Sequence, residues 1–236
     1  MRETNYHIIV AAGSGSRYGG NLPKQFCDLN GRPLLMTTIE RLHDATPDAE
    51  IIVVLSADMI EMWGEMCREH AFTLSHLIAT GGPTRAHSVK NAVTLIEQRL
   101  AADSCGPCRW ISVHDAARPV VTRPMVEALI SSLKEADGAI PACRVTDSIR
   151  LIGPDGSSHA VDRSMYRAVQ TPQIFHAAKL IAAYRQPLQP EFTDDASVME
   201  AAGYDALCLV DGDPHNIKVT NPGDMAIASL YLAETI

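Results

Sequence analysis

The chain has 236 residues, 46% of them hydrophobic, which is enough to bury one sizeable core and is an ordinary size for an α/β domain. Twenty Lys and Arg against 28 Asp and Glu leave a net charge of −8, which argues against a nucleic-acid or anionic-membrane surface. No apolar run approaches the roughly 18 residues of a membrane span, and the N-terminal apolar stretch is too short for a signal peptide, so a cytoplasmic location is expected.

The run from Tyr6 to Ala12 reads as a first buried β-strand. It leads into Gly13-Ser14-Gly15-Ser16-Arg17-Tyr18-Gly19-Gly20, where four glycines let the backbone turn tightly and aim N–H groups at a ligand. Arg17 and Lys24 bracket the stretch, and bare backbone flanked by two cations suits a polyphosphate. Two familiar phosphate motifs do not fit. A Walker A loop needs Gly-Lys-Ser/Thr, where Gly20-Asn21-Leu22 stands. A dinucleotide fingerprint needs a glycine at Tyr18 and a helix opening inside the motif, whereas the first helical pattern here begins near Pro33.

Leu34 to Leu42 recurs apolar at helical spacing, and Ile51 to Leu55 reads as a strand covered on both faces. Residues 58–70 predict a helix whose Met59, Met62, Trp63 and Met66 form a core stripe. A weaker strand at 74–79 ends at Gly81-Gly82, and a helix over 86–100 follows. Those glycines fall just past a strand end, where ligands bind in open α/β sheets. Arg85 and Ser88, three apart, share the helix face that meets such a ligand. Cys105-Gly106-Pro107-Cys108 has the spacing of a redox pair. It precedes the strand Trp110 to Val113 instead of following one, so it reads as a helix-to-strand turn.

The strand at 110–113 runs into His114-Asp115-Ala116-Ala117-Arg118-Pro119. Asp115 at a strand's C-terminal end is placed to hold Mg²⁺ on a triphosphate, while His114 is either a ligand or a packed histidine. A helix over 122–136 and a strand over 138–143 come next. From Val145 the pattern changes to a hairpin, Ile149–Ile152 and His159–Val161 around Gly153-Pro154-Asp155-Gly156. Such an arm, 145–168, leaves apolar residues without a core of their own, and a second copy of the chain is the simplest home for them. The chain returns to the sheet at 170–175. It continues through helices at 176–186 and after Thr193 as N-cap, strands at 206–210 and 216–220, and a closing helix. With no linker or repeat, 1–236 reads as one domain carrying an arm.

Ala11-Ala12-Gly13-x-Gly15-x-Arg17 with Pro23-Lys24-Gln25-Phe26 resembles the signature of nucleotidyltransferases that activate phosphorylated sugars and polyols, in their cytidylyltransferase form. Gly-Gly-x-x-Arg-x-x-Ser-Val at 81–89, His-Asp-Ala-Ala-Arg-Pro at 114–119, Val-Asp-Arg at 161–163 and Thr-Pro-Gln-x-Phe at 171–175 are similar to further segments of that family, in the same order. The resemblance implies a doubly wound, mostly parallel, Rossmann-like sheet with ligands at its C-terminal edge, and the βα alternation supports this independently. It implies transfer of a cytidylyl group from CTP to 2-C-methyl-D-erythritol 4-phosphate with release of pyrophosphate, in non-mevalonate isoprenoid precursor synthesis, by a homodimer formed through the arm.

The same resemblance assigns Arg17 and Lys24 to transition-state stabilisation, and Arg163 and Lys218 to orienting the incoming phosphate. Ala11, Ala12, Gly13, Ser14 and Gly15, with Gly82, Arg85, Ser88, Asp115 and Arg118, are expected around the nucleotide, and Asp115 on Mg²⁺. Ser148, Thr171 and Thr193 are expected at the polyol phosphate, along with Arg163 and Lys218. Ser148 stands where many relatives carry threonine, and the hydroxyl survives. Two alternatives stay open: a ribitol-5-phosphate cytidylyltransferase, and a catalytically inactive nucleotide-binding module, against which the intact charged residues count.

Overall fold

The computed structural model describes residues 3–13 and 22–234. The first apolar run forms β1 (Tyr6–Val10). A small hairpin follows, β2 (Asp28–Leu29) and β3 (Arg32–Pro33), turned by Asn30 and Gly31 with φ of 58° and 85°. Asn-Gly is the residue pair that a two-residue turn with both φ positive requires, a local signal the hydrophobic pattern does not carry. Pro33 therefore ends a strand, and α1 (Leu34–Ala45) begins after it.

Next come β4 (Glu50–Leu55), α2 (Ile60–Glu69), β5 (Leu77–Thr80), α3 (Arg85–Ala101), β6 (Trp110–Asp115), α4 (Arg123–Ser132) and β7 (Gly138–Arg144). Residues 57–59 are a 3₁₀ turn ahead of α2, and the fourth helix stops at Ser132, short of the expected 136. The arm is β8 (Arg150–Ile152) paired with β9 (Ser158–Ala160), as a two-stranded sheet of its own. After it come β10 (Arg167–Val169), β11 (Gln173–His176), α5 (Ala177–Ala183), α6 (Asp195–Ala201), β12 (Leu207–Asp211) and α7 (Pro222–Glu234).

The main sheet runs β10-β7-β11-β6-β1-β4-β5, with β12 on the other side of β7. β1, β4, β5 and β6 are parallel to one another, and β12 is parallel to β7. β10 and β11 run antiparallel. The result is a mixed, mostly parallel, Rossmann-like α/β sheet with helices on both faces.

Along β1 the period of two is visible in the packing. Tyr6 and Ile8 enter the core under α3 and α5, and Ile9 and Ala11 enter the opposite core with α1, α2 and α4. A third, smaller cluster of Leu29, Leu34, Val120, Val219 and Ala228 seats α7.

Two local expectations change. Residues 216–220 form no strand: Asn216 and Ile217 N–H close turns onto the Asp213 and His215 carbonyls, Val219 N–H bonds to the Ala117 carbonyl, and side chains supply further bonds to the segment. Asp194 and not Thr193 caps α6, because its carboxylate accepts the Ser197 N–H while the Ser197 hydroxyl takes up the reciprocal bond of a capping box.

Candidate active site

Because β1, β4, β5 and β6 are parallel, their C-terminal ends share one edge, and the loops leaving them converge there. A cleft of about 580 Å³ opens at that edge. It is lined by Ala11 to Gly13, Lys24, Gln25, Gly82 to Arg85, Ser88, Asp115 to Ala117, Lys218 and Thr220. Two glycines make the convergence possible. A Cβ on Gly81 would lie 2.5 Å from the Ala12 Cβ, and one on Gly82 would lie 2.5 Å from the His87 Cβ. Ser88 locks the turn: its hydroxyl accepts the Gly82 N–H at 3.0 Å and donates to the Thr84 carbonyl at 3.0 Å.

Asp115, the last residue of β6, is the charge centre of the cleft. Lys218 Nζ lies 2.7 Å from Oδ2, Arg85 Nε 3.5 Å from Oδ1 and Arg118 Nε 3.7 Å from Oδ2. Burial alone would raise this carboxyl, but Arg85, Lys218 and Arg118 outweigh it and hold it well below the ordinary carboxylate range. Arg85 also pairs at 2.7 Å with Asp195, which is fully buried and accepts the Tyr184 hydroxyl at 2.5 Å. Burial opposes the charge on Arg85, and Asp195 and Asp115 more than restore it.

Lys24 reaches across the cleft and donates to the Val219 carbonyl at 2.9 Å, so Lys24 and Lys218 share a rim. Asn216, fully buried, donates to the Thr171 carbonyl, and its own carbonyl accepts from Arg118 at 2.7 Å. These bonds take the place of the expected strand in holding Lys218.

His114 is a packed histidine. Its Nε2 lies 3.0 Å from the Arg118 carbonyl, which only accepts, so Nε2 carries the hydrogen. Nδ1 then accepts from the Thr171 hydroxyl at 3.1 Å, and that oxygen accepts the Asp115 N–H at 3.0 Å. Burial pushes the imidazole down to about 4. Thr171 thus sits behind Asp115, 5% exposed, with its hydroxyl engaged on both sides, and not on the cleft surface where a substrate contact was expected.

Of the other expected residues, Ala11, Ala12, Gly13, Lys24, Gly82, Arg85, Ser88, Asp115 and Lys218 line the cleft together. Arg118 stands just behind it. Arg163 and Ser148 are exposed on the arm, with Arg163 donating to the Thr146 carbonyl, and Thr193 is exposed ahead of α6. None of these four lines the cleft among the described residues. Ser14, Gly15 and Arg17 lie outside the described residues. Gln25 was read only as part of the signature segment and given no role, and the Asp195–Tyr184 pair was not singled out, because their partners lie ten or more residues away in the chain. Thr220, bonded to the nearby Asp224, was likewise given no role at the site.

Among the described residues no group of three or more His, Cys, Asp or Glu could form a protein cage for a metal. A single cleft carboxylate does suit Mg²⁺, which takes most of its ligands from water and substrate phosphates. The Cys105–Cys108 segment lies on the turn between α3 and β6. Burial, with Cys105 adding to it, pushes the Cys108 thiol up to about 12, so it is not a reactive thiolate.

Against known proteins, the family 2-C-methyl-D-erythritol 4-phosphate cytidylyltransferase matches residues 6–234. The chain belongs to that family. The enzyme of that name from Bacteroides fragilis is 41% identical over 225 residues, covering 95% of this chain and 98% of the relative. Its counterpart from Porphyromonas gingivalis is 40% identical over 233 residues, covering 98% and 99%. The crystal structure of the Francisella tularensis 2-C-methyl-D-erythritol 4-phosphate cytidylyltransferase superposes with a TM-score of 0.76 at 27% identity, over 96% of this chain and 99% of that one. The family match favours the methylerythritol reading over the ribitol and inactive-module alternatives. No helix among the described residues is long and apolar enough to cross a membrane.

Proposed function

We propose that this chain transfers the cytidylyl group of CTP to 2-C-methyl-D-erythritol 4-phosphate and releases pyrophosphate, in isoprenoid precursor synthesis. The observation that carries the reading is the meeting of bare backbone, Lys24, Arg85, Asp115 and Lys218 in one cleft at the strands' C-terminal edge. The polyol phosphate is already an anion, so no side chain need remove a proton. One of its oxygens forms a bond to the α-phosphorus while the bond from that phosphorus to the bridging oxygen breaks. The electron pair of the broken bond leaves with pyrophosphate. The protein's part is positioning and charge neutralisation.

In this reading Lys24 and Arg17 neutralise the α-phosphoryl oxygens. Lys218 and Arg163 receive the polyol phosphate, with Ser148 and Thr193 left for its hydroxyls. The backbone from Ala11 to Gly15, with Gly82, Arg85, Ser88 and Arg118, surrounds the nucleotide. Asp115 is the carboxylate that would hold a Mg²⁺ ion beside the triphosphate, and such an ion would offset phosphate charge. Thr171 acts from behind, through the Asp115 N–H. The chain is read as one domain whose arm, 145–168, docks on a second copy. Leu151, Ile152 and Met165, at 55%, 64% and 80% exposure, support that homodimer.

The test is direct. Purified protein is given CTP and Mg²⁺ with either methylerythritol phosphate or ribitol 5-phosphate, and pyrophosphate is followed. Release with the first alone is expected. Release with ribitol 5-phosphate alone would move the substrate assignment, and release with neither would favour the inactive module.

A further inference from the structure

Gln25 belongs to the signature segment, yet the mechanism above uses only its neighbour Lys24. Its side chain is buried at 2% exposure. Nε2 donates to the Ala11 carbonyl at 2.7 Å and to the Gly13 carbonyl at 3.1 Å, and lies 3.4 Å from Met59 Sδ. Both oxygens are backbone acceptors, so only the NH₂ end of the amide can face them. Ala11 and Gly13 follow β1 and lead into the glycine-rich segment. Gln25 lies in the 3₁₀ turn Lys24–Phe26 that follows that segment. The turn is closed by bonds from Phe26 N–H to the Pro23 carbonyl and from Cys27 N–H to the Lys24 carbonyl. On its other side Phe26 stacks on Trp63, ring centroids 6.0 Å apart. One amide thus ties together the two roots of the segment, from within the turn that carries Lys24.

We propose that Gln25 is a positioning residue for the transfer, bridging the Ala11 and Gly13 carbonyls so that Lys24 is fixed relative to the nucleotide-binding backbone. It acts through Lys24 and does not touch the reacting atoms. The inference rests on the role given to Lys24 above.

A double-mutant cycle on the full chain tests it, with wild type, Lys24→Ala, Gln25→Met and the double variant. Pyrophosphate release is measured at saturating CTP over a range of methylerythritol phosphate concentrations up to saturation, with a thermal melt of each protein. Methionine keeps the length and volume of glutamine and removes both donors. In the wild-type background Gln25→Met should lower kcat at least about tenfold, since small misplacements of a catalytic group are costly. With Lys24 already alanine it should cost less than about threefold, because residues acting as one unit are non-additive. KM for the polyol phosphate should stay within about twofold.

A wild-type-background loss below tenfold overturns the proposal, and so does a cost of threefold or more in the Lys24→Ala background. A role in stability alone lowers the melting temperature without producing the non-additivity. If Gln25→Met gives no cooperative melt, Gln25→Asn, one methylene short of spanning both carbonyls, goes through the same cycle under the same criteria. A wild type that releases no pyrophosphate fails the functional reading itself. An active wild type with a Lys24→Ala variant slowed about 10²-fold or more, yet still measurable, and additive costs fails only the inference about Gln25.

Discussion

Lys218 Nζ stands 2.7 Å from Asp115 Oδ2, so the cation assigned to one substrate's phosphate is paired with the carboxylate assigned to the other substrate's metal. Arg85 and Arg118 approach the same carboxylate, at 3.5 Å and 3.7 Å. Asp115 therefore does two jobs in the proposed mechanism: it spaces three mutually repelling cations, and it offers an anionic oxygen to Mg²⁺. Asp115→Asn keeps the shape and removes the charge. It should weaken Mg²⁺-dependent binding of a non-hydrolysable CTP analogue, since an amide oxygen is the poorer ligand. It should also lower unfolding free energy by about 2–4 kcal/mol, because removing one partner of a buried ion pair strands the others. Unchanged metal dependence in a titration of the variant would remove Asp115 from the metal site.

Lys24→Ala should lower turnover about 10²-fold or more while CTP affinity changes less than about threefold. A donor that counts mainly in the transition state is worth roughly 3 kcal/mol there and little in the ground state. Steady-state kinetics with an equilibrium measurement of CTP binding check both halves. A turnover loss under about fivefold would mean that Lys24 is not a transition-state group.

Much of this site is legible in the sequence, and the reason it stops where it does is physical. Asp115 could be placed because a continuous apolar strand ends just before it, and strand periodicity is a local property. Gly81 and Gly82 could be placed for the same reason. The pairing of Arg85 with Asp195 could not, since it joins α3 to the start of α6 and depends on how the layers stack. Nor could the true state of 216–220. That segment has strand-like composition, but the bonds from Gln170, Arg118 and Asn216 satisfy its backbone and its surroundings in place of a ladder. The Asn30-Gly31 hairpin was readable from turn chemistry alone, and the hydrophobic pattern hid it.

Replacing both Cys105 and Cys108 by serine should leave transferase activity within about twofold. The pair occupies a turn far from the cleft edge, and substitutions at such turns rarely carry a large effect. The same activity assay, run with and without a thiol reductant, checks this. Disulfide reductase activity in the wild type would overturn the turn assignment.

Histidine burial gives the stability a pH dependence whose sign is fixed. His7 is fully buried, with Nε2 2.5 Å from Thr46 Oγ1. Burial first, and the charge of His114 second, push it down to about 3. In the unfolded chain it titrates near 6.5, so below that pH the unfolded state binds a proton that the folded state refuses. Its contribution is complete above about pH 6.5 and is lost as pH falls toward the folded value, at about 1.4 kcal/mol per pH unit. Urea unfolding at stepped pH should show the wild-type free energy falling more steeply than that of His7→Gln by about this slope between about pH 6 and 4. Parallel curves would mean that His7 is protonated in the folded state.

Arg163 lies at the base of the arm, exposed, with its guanidinium on the Thr146 carbonyl and away from the cleft of its own chain. If the arm docks on a second copy, Arg163 serves the partner's site, and complementation distinguishes that from service in cis. Chains carrying Lys24→Ala and chains carrying Arg163→Ala, each inactive alone, are unfolded together in equal amounts and refolded. Half of the dimers are then hybrids. In each hybrid, the site on the Arg163→Ala chain keeps its own Lys24 and receives an intact Arg163 from its partner, while the other site lacks both. One site in two is restored in one dimer in two, so activity should return to about a quarter of wild type. Were Arg163 to act in cis, every site in every dimer would lack one of the two cations and the mixture would stay inactive. An affinity tag on one chain confirms that hybrids have formed. Tagged hybrids without recovered activity would remove Arg163 from the partner's site and leave the assignments of Lys24, Asp115 and Lys218 as they stand.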